Sequence, residues 1–533
     1  MFAAEHLSYA DTGAFTRIVL DYIEGSKDLE PFYAYRPTLQ GLAQAMELKK
    51  AQPVNRAALV EVLKEQYGKS CSAAVQQNIE ALLSPNTFTI CTAHQPNLFT
   101  GPLYFIYKIL HAIKLAAHLN EQQPGYRFVP IYYMGSEDAD LAELNHFSVA
   151  GKKYTWQTEQ TGAVGRMRID KMLTGLLTEL QQQLGVAPHG PEIVELLRTH
   201  YVEGTTVQEA TFGFVDALFG KYGLIVLIAD DAKLKRQLQA FFEADLFDHV
   251  PAAIVTTTCK QLETHYKVQA YPREINLFYL KDNIRERIER KGAGFCVCNT
   301  DIYFEAEDLR TELYAHPERF SPNVILRGLY QETILPNIAF IGGGGELAYW
   351  LQLKDLFQNF SIPFPVLVLR NSLLIVNKSQ KALADKLGLN TEQLFDSSLQ
   401  IMNDLLEREG KKPQLSGEVE SLKAIYETLK KTAAETDVTL RDHVEALQTK
   451  AVNQIQALEK KMLRSERKKA EATQRQLEKL KDQLFPKNGL QERVENISGY
   501  YAQWERGLLD SLLENSLPID ARFTILTEIN QTN

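Results

Sequence analysis

The chain has few cysteines, five in 533 residues, and apart from Cys296 and Cys298 they stand far apart. An odd, scattered set argues against a disulfide scaffold and predicts a reducing compartment, the cytoplasm. No apolar stretch reaches the roughly 20 residues that span a bilayer. Runs such as YGLIVLIAD and PFPVLVL have the length of strands instead. The start, MFAAEHLSYADTGAF, lacks the basic and apolar regions of an export leader. An excess of positive charge is missing too: 58 Lys and Arg face 67 Asp and Glu, a net charge of -9. That balance argues against a dedicated nucleic-acid binder and leaves room for a local basic pocket. There is no Walker A loop, no G-x-G-x-x-G fingerprint, no internal repeat and no low-complexity tail.

What is present divides along the chain. Residues 1–85 read as a mostly helical region packing on a core, with apolar residues three and four apart in RAALVEVLKEQYG and SAAVQQNIEALL. TFTICTAH, the helix from Gly101 to about Leu119 and RFVPIYYMG then form strand, helix and strand, a βαβ unit that implies a parallel sheet. GLIVLIA at 223–229, NLFYL at 276–280 and PFPVLVLR at 363–370 are further buried-strand candidates. The fold class is α/β, with a Rossmann-like core over 86–387 and a polar, helical insertion around 150–210. From 388 to 485 the composition changes. Between about 416 and 484 there is no proline and one glycine, Gly417, and apolar residues recur at helical steps from Leu440 to Met462. This predicts a helical hairpin or coiled coil of two antiparallel arms. Residues 486–533 supply a last amphipathic helix returning to the core.

The junction after the first core strand concentrates polar residues. His94, Gln95 and Asn97 precede Thr100-Gly101-Pro102, which reads as an N-cap and a first helical turn. A helix N-terminus at the carboxyl end of a parallel strand is an anion site, most naturally for a phosphate chain. A purely structural capped turn satisfies the same pattern. The second strand ends in Glu137, Asp138 and Asp140, followed by Glu143 and His146. These carboxylates suit a substrate amine, a hydroxyl, Mg2+ or a base role, or simply a solvated helix start.

In SPNVILRGLYQETILPNIAFIGGGGELAYWLQL, the polar residues Arg327, Tyr330, Gln331 and Glu332 interrupt an apolar segment. Gly342, Gly343, Gly344 and Gly345 then precede Glu346, and such a run lets a backbone approach a ligand closely. Arg370, Asn371 and Ser372 follow another strand, with Arg370 suited to a phosphate or carboxylate. Cys296 and Cys298 have no histidine nearby, so no metal site is expected there. KSQK at 378–381 reads as a basic helix start, and His111 and His118 as packing or surface residues.

Assembled, TAHQPNLFTGPLYFIYK, SEDADLAELNH, INLFYLKDNIRERI, ILRGLYQETILPNIAFIGGGGELAYW, LVLRNS and LFPKNGLQERVENI resemble the blocks of the cysteine-adding BshC family of bacillithiol biosynthesis. The resemblance implies a Rossmann-type core, a coiled coil that forms a homodimer, and addition of L-cysteine to glucosaminyl-malate by an amide bond. It is also similar to the class I synthetase and nucleotidyltransferase superfamily, which would put His94 by the triphosphate of ATP with Mg2+. The superfamily's second histidine is absent, since Gln95-Pro96-Asn97 follows, and Ala139 stands where many family members would carry a histidine. On this resemblance His94, Glu137, Asp138 and Asp140 are the catalytic candidates. Gln95, Asn97, Thr100, Gly101, Arg327, Tyr330, Gln331, Glu332, Gly343, Gly344, Glu346, Arg370, Asn371 and Ser372 are the binding candidates. Two other functions stay open on the residues: a nucleotidyltransferase for another small substrate, and a non-catalytic coiled-coil scaffold.

Overall fold

A computed structural model describes residues 2–68 and 71–529. Five strands form the central sheet: β1 Thr87–His94, β2 Arg127–Met134, β3 Ile225–Ile228, β4 Asn337–Gly342 and β5 Val366–Leu369. They lie in the order β5-β4-β1-β2-β3, and every adjacent pair is parallel. All residues of β4 and β5, and all of β1 except His94, are buried. Burial on both faces is why β5 reads as a continuous apolar run, and in β1 it takes in Thr87, Thr89 and Thr92 along with the apolar residues.

The helix α1, Tyr104–Gln122, follows β1 and packs on β1 and β2. It buries residues all round, Lys108 and His111 among them. One face joins the helices Lys171–Leu184, Gly190–His200 and Val207–Phe219, and Ile497–Glu514 near the C-terminus, in a single apolar cluster. Each fully buried Leu or Ile there contributes about 1.5–3 kcal/mol. The insertion around 150–210 is therefore amphipathic, with Leu173, Leu177, Leu180, Ile193 and Leu197 turned inward. A second cluster ties helix Leu39–Ala51 to β1, β4 and β5. The helices α2, Val324–Ile334, and α3, Gly344–Trp350, flank β4, and Trp350 stacks on Phe340 at 4.4 Å.

Two sequence expectations change here. The run at 276–280 lies outside the core sheet: Leu277–Lys281 pairs antiparallel with Ile284–Lys291 and Phe320–Pro322 in a separate five-stranded sheet. Asp282-Asn283 makes the two-residue hairpin turn that sets this pairing, with Asp282 at φ 34°. The mostly helical N-terminal region also holds an unexpected strand, Phe2–Leu7, which pairs antiparallel with Phe523–Glu528. Cys296 sits in the second sheet, and no group of three or more His, Cys, Asp or Glu placed to hold a metal occurs among the described residues. No helix among them is long and apolar enough to cross a membrane.

The second compact unit is Val376–Asn488. It begins before residue 388 because helix Lys378–Lys386 packs on helix Glu471–Leu484 within it. Ser416–Thr436 and Leu440–Lys469 run beside one another as a hairpin that turns at Asp437–Thr439. Neither helix buries a residue, and Ile425, Leu429, Leu447 and Leu458 are exposed.

Candidate functional site

In a doubly wound sheet the ligand crevice opens at the carboxyl ends of the strands, where the strand order reverses. Here that point lies between β1 and β4, and a cavity of about 600 Å³ opens there. His94, Gln95, Glu137, Asp138, Arg327, Gly343, Gly344, Glu346 and Arg370 all line it.

His94 is the last residue of β1, and its ring meets Tyr104 and Phe105 edge-on at 5.3 Å. Its Nε2 is buried and has no hydrogen-bond partner among the described residues. Burial, then the charges of Lys108, Arg370 and Arg327, hold its pKa well below the usual value, so the ring is neutral at neutral pH. The three cations differ in how they are held. Lys108 of α1 donates to the Ala93 carbonyl at 2.8 Å and pairs with Glu346. Glu346 also accepts the Gly343 N–H at 2.9 Å, which joins the glycine turn to the lysine. Arg370 makes a two-pronged pair with Glu492, at 2.7 and 3.0 Å. Arg327 has no carboxylate partner among the described residues; it donates to Gln331 at 3.3 Å and to the Tyr349 hydroxyl. A guanidinium in that state is suited to an incoming anion.

The acidic loop behaves differently at each position. Glu137 pairs with Lys235, which also holds Asp230 at 3.0 Å, and Arg166 grips Asp230 at 2.6 and 2.8 Å. Burial pulls the Lys235 ammonium down, but Asp230 and Glu137 outweigh it and its pKa is raised. Glu137, expected among the carboxylates that orient the amine or take its proton, lines the cavity with its side chain paired to Lys235. Asp138 accepts from Gln95 at 3.1 Å and faces Arg285 at 3.9 Å. Asp140 is exposed and does not line the cavity; its side chain caps helix Leu141–Leu144 by accepting the Glu143 N–H at 3.1 Å.

The remaining candidates lie away from the cavity. The helix after β1 begins at Tyr104, without a side-chain cap. Phe99 and Thr100 have φ of 50° and 71°, and the Thr100 hydroxyl donates to the Phe99 carbonyl at 2.5 Å. Asn496 donates to the carbonyls of Phe99 and Gly101 at 2.8 and 2.6 Å, so the predicted Thr100-Gly101 anion turn is instead a buried joint with the C-terminal segment. Gly101 has φ 60°, and a Cβ there would lie 2.7 Å from that of Asn97. Asn97 is buried beneath this joint.

Tyr330 donates to the Ala229 carbonyl at 2.6 Å. Gln331 donates to Glu332 at 2.8 Å, and Glu332 pairs with the buried Lys49. These three are fully buried and absent from the cavity wall. Asn371 accepts from the Leu517 N–H at 3.0 Å, and Ser372 accepts from Arg370 at 3.0 Å. Both serve packing instead of the cavity. His111, expected as an ordinary packing or surface residue, is buried with both ring nitrogens engaged. It accepts from the Asn371 N–H at 3.1 Å and donates to the Pro518 carbonyl at 3.0 Å.

Sequence reasoning missed Lys108, Arg285, Tyr104 and Arg493, all of which line the cavity. Lys108 carried a readable signal, since FIYKIL places one charge inside an apolar helix turn. Arg285 and Arg493 carried none, because each comes from a distant segment.

Comparison with known proteins finds two family models that meet near residue 372. The family model for the bacillithiol biosynthesis BshC N-terminal Rossmann-like domain matches residues 2–371, and that for the BshC C-terminal coiled-coil domain matches 373–528. A relative from Flavobacterium johnsoniae, named "Putative cysteine ligase BshC", is 38% identical over 98% of this chain and 99% of its own. One of the same name from Cytophaga hutchinsonii is 39% identical over 93% of this chain and 94% of its own.

Proposed function

The chain belongs to the BshC family of bacillithiol biosynthesis, and from that premise we propose that it joins the carboxyl of L-cysteine to the amine of glucosaminyl-malate. Amide formation in water is uphill, so the carboxyl needs activation, which ATP with Mg2+ would supply. The observation that carries this function is the meeting of Lys108, Arg327 and Arg370 around the unpartnered Nε2 of a neutral His94. Such a cluster, preorganised and partly shielded from water, stabilises phosphate or carboxylate charge more strongly than water does.

The donor set fits a nucleotide phosphate or the malate carboxylates. Arg327 would grip the anion, Lys108 would neutralise it from below, and the Gly343–Gly345 turn would let backbone come close. His94 would donate or accept at the buried Nε2 without adding charge. Since no carboxylate and histidine group placed for a metal occurs among the described residues, Mg2+ would arrive on the phosphates, as it commonly does. Asp138 and Glu143, which line the same cavity, would attract the amine. The exposed apolar residues of the helical hairpin support a homodimer through that hairpin. Five free cysteines accord with work in a reducing cytoplasm.

The test is mass spectrometry of purified protein with cysteine and glucosaminyl-malate, with and without ATP and Mg2+. The expected result is bacillithiol only in the complete mixture. Product without nucleotide would overturn the activation step, and no product in any mixture would overturn the ligase function.

A further inference from the structure

The acidic groups of the cavity are not equivalent. Glu137 is tied to Lys235, Glu346 to Lys108, and Asp138 faces Arg285 at 3.9 Å while accepting from Gln95. A carboxylate already engaged by a cation must give up that contact before it can turn to a substrate amine. Glu143 also lines the cavity, and its carboxylate has no cationic partner among the described residues. It projects from the short helix Leu141–Leu144, which Asp140 caps.

The ionisable groups that face Glu143 are Asp138 and Asp140 from its own loop and Tyr104 from α1. Glu143 is exposed for much of its surface; the desolvation that remains, then the charges of Asp140 and Asp138, hold its pKa above the usual carboxylate value. Burial, then the charges of Glu143, Glu346 and Glu492 set against Arg370, push the Tyr104 hydroxyl up to about 12. Tyr104 meets the His94 ring edge-on. The Glu143 charge is therefore felt next to the cationic end of the cavity, where the activated carboxyl would lie.

We propose that Glu143 is the general base of the bond-forming step, taking the proton from the attacking amine. This rests on the amide-forming function proposed above. The neutral amine nitrogen attacks the carbonyl carbon of the activated cysteine, and the C–N bond forms. The C–O bond to the phosphate-type leaving group breaks, and its electron pair departs with that oxygen. The proton on nitrogen passes to the Glu143 carboxylate and from there to water. The activating co-reactant is a nucleoside triphosphate. Glu143 serves best because it lines the cavity and no cation among the described residues holds its carboxylate.

The experiment uses the full-length chain with cysteine, ATP and Mg2+, and two nucleophiles in parallel: glucosaminyl-malate and hydroxylamine. Hydroxylamine is uncharged at neutral pH and traps an activated carboxyl without a protein base. In Glu143→Gln the ratio of amide to hydroxamate should fall ~100-fold or more, and Glu143→Asp should restore most of it. An unchanged ratio, or an equal loss of both products, overturns the assignment while leaving the ligase function standing. Absence of hydroxamate and amide from the wild-type chain overturns the ligase function itself, and this step with it.

Discussion

Lys49 and Lys108 are both buried and both paired with a glutamate, yet one pair is closed and the other is open. Lys49 donates to the Glu332 carbonyl at 2.7 Å, and the two side chains are 1% and 0% exposed. Glu332 accepts further bonds from Gln331 and Asn337, at 2.8 and 2.7 Å. Lys108 is 2% exposed, but its partner Glu346 is 22% exposed, on the cavity wall. The histidines repeat the contrast. His111 has both ring nitrogens bonded, while the Nε2 of His94 has no partner. Buried charge alone therefore does not mark the site. What marks it is buried polar capacity left unused at the edge of a cavity.

The largest effect should come from breaking the closed pair. Lys49→Ala leaves Glu332 buried without its cation and should cost ~3–5 kcal/mol of stability, read from denaturant midpoints. Lys108→Ala should cost less, since water in the cavity can reach Glu346. Equal losses would erase the distinction between the two pairs.

His111 gives the next effect, through pH. Burial pushes its pKa down from 6.5 to about 4, so the folded chain favours the neutral ring. Its contribution is full above pH 6.5, where the unfolded ring is neutral too. It is lost as pH falls through about 4, a change of roughly 3 kcal/mol. His111→Asn should flatten the fall in stability between pH 6.5 and 4; an unchanged slope would contradict the closed environment assigned to it.

The smallest effect on the folded monomer belongs to the helical hairpin. Leu447 and Leu458 are 43% and 51% exposed, so changing both to Glu should alter monomer stability by no more than about 0.5 kcal/mol. Sedimentation should nonetheless show loss of the dimer proposed above, which the wild-type chain should form. A dimer that persists in Leu447→Glu/Leu458→Glu would move the interface elsewhere.

The same contrast explains what was legible in the sequence. Four of the five core strands could be read because strands covered on both faces are rich in apolar and β-branched residues, while β4, Asn337–Gly342, was missed inside the longer apolar segment 321–353. The run at 276–280 has the same character but pairs antiparallel elsewhere, and its partners are not written within it. His94, Arg327, Arg370 and the glycine run stood out as polar or flexible residues inside apolar segments. Gln331 and Glu332 gave the same signal, yet neither lines the cavity: Glu332 belongs to the closed Lys49 network, and Gln331 links it to Arg327. A polar residue in an apolar helix announces a buried network without saying which side of the sheet it serves. The start of α1 was misread because Asn496, distant in sequence, decides the conformation of residues 99–101.

Arg327 tests the account most directly, because it is the cavity cation near His94 that has no carboxylate partner. Bacillithiol formation by Arg327→Met should be compared with the wild-type chain at equal folded concentration, alongside both denaturant midpoints. The account predicts a rate reduced about 100-fold with stability changed by no more than about 1 kcal/mol. A wild-type rate in the variant would contradict the assignment of this cavity as the place where the anion is held.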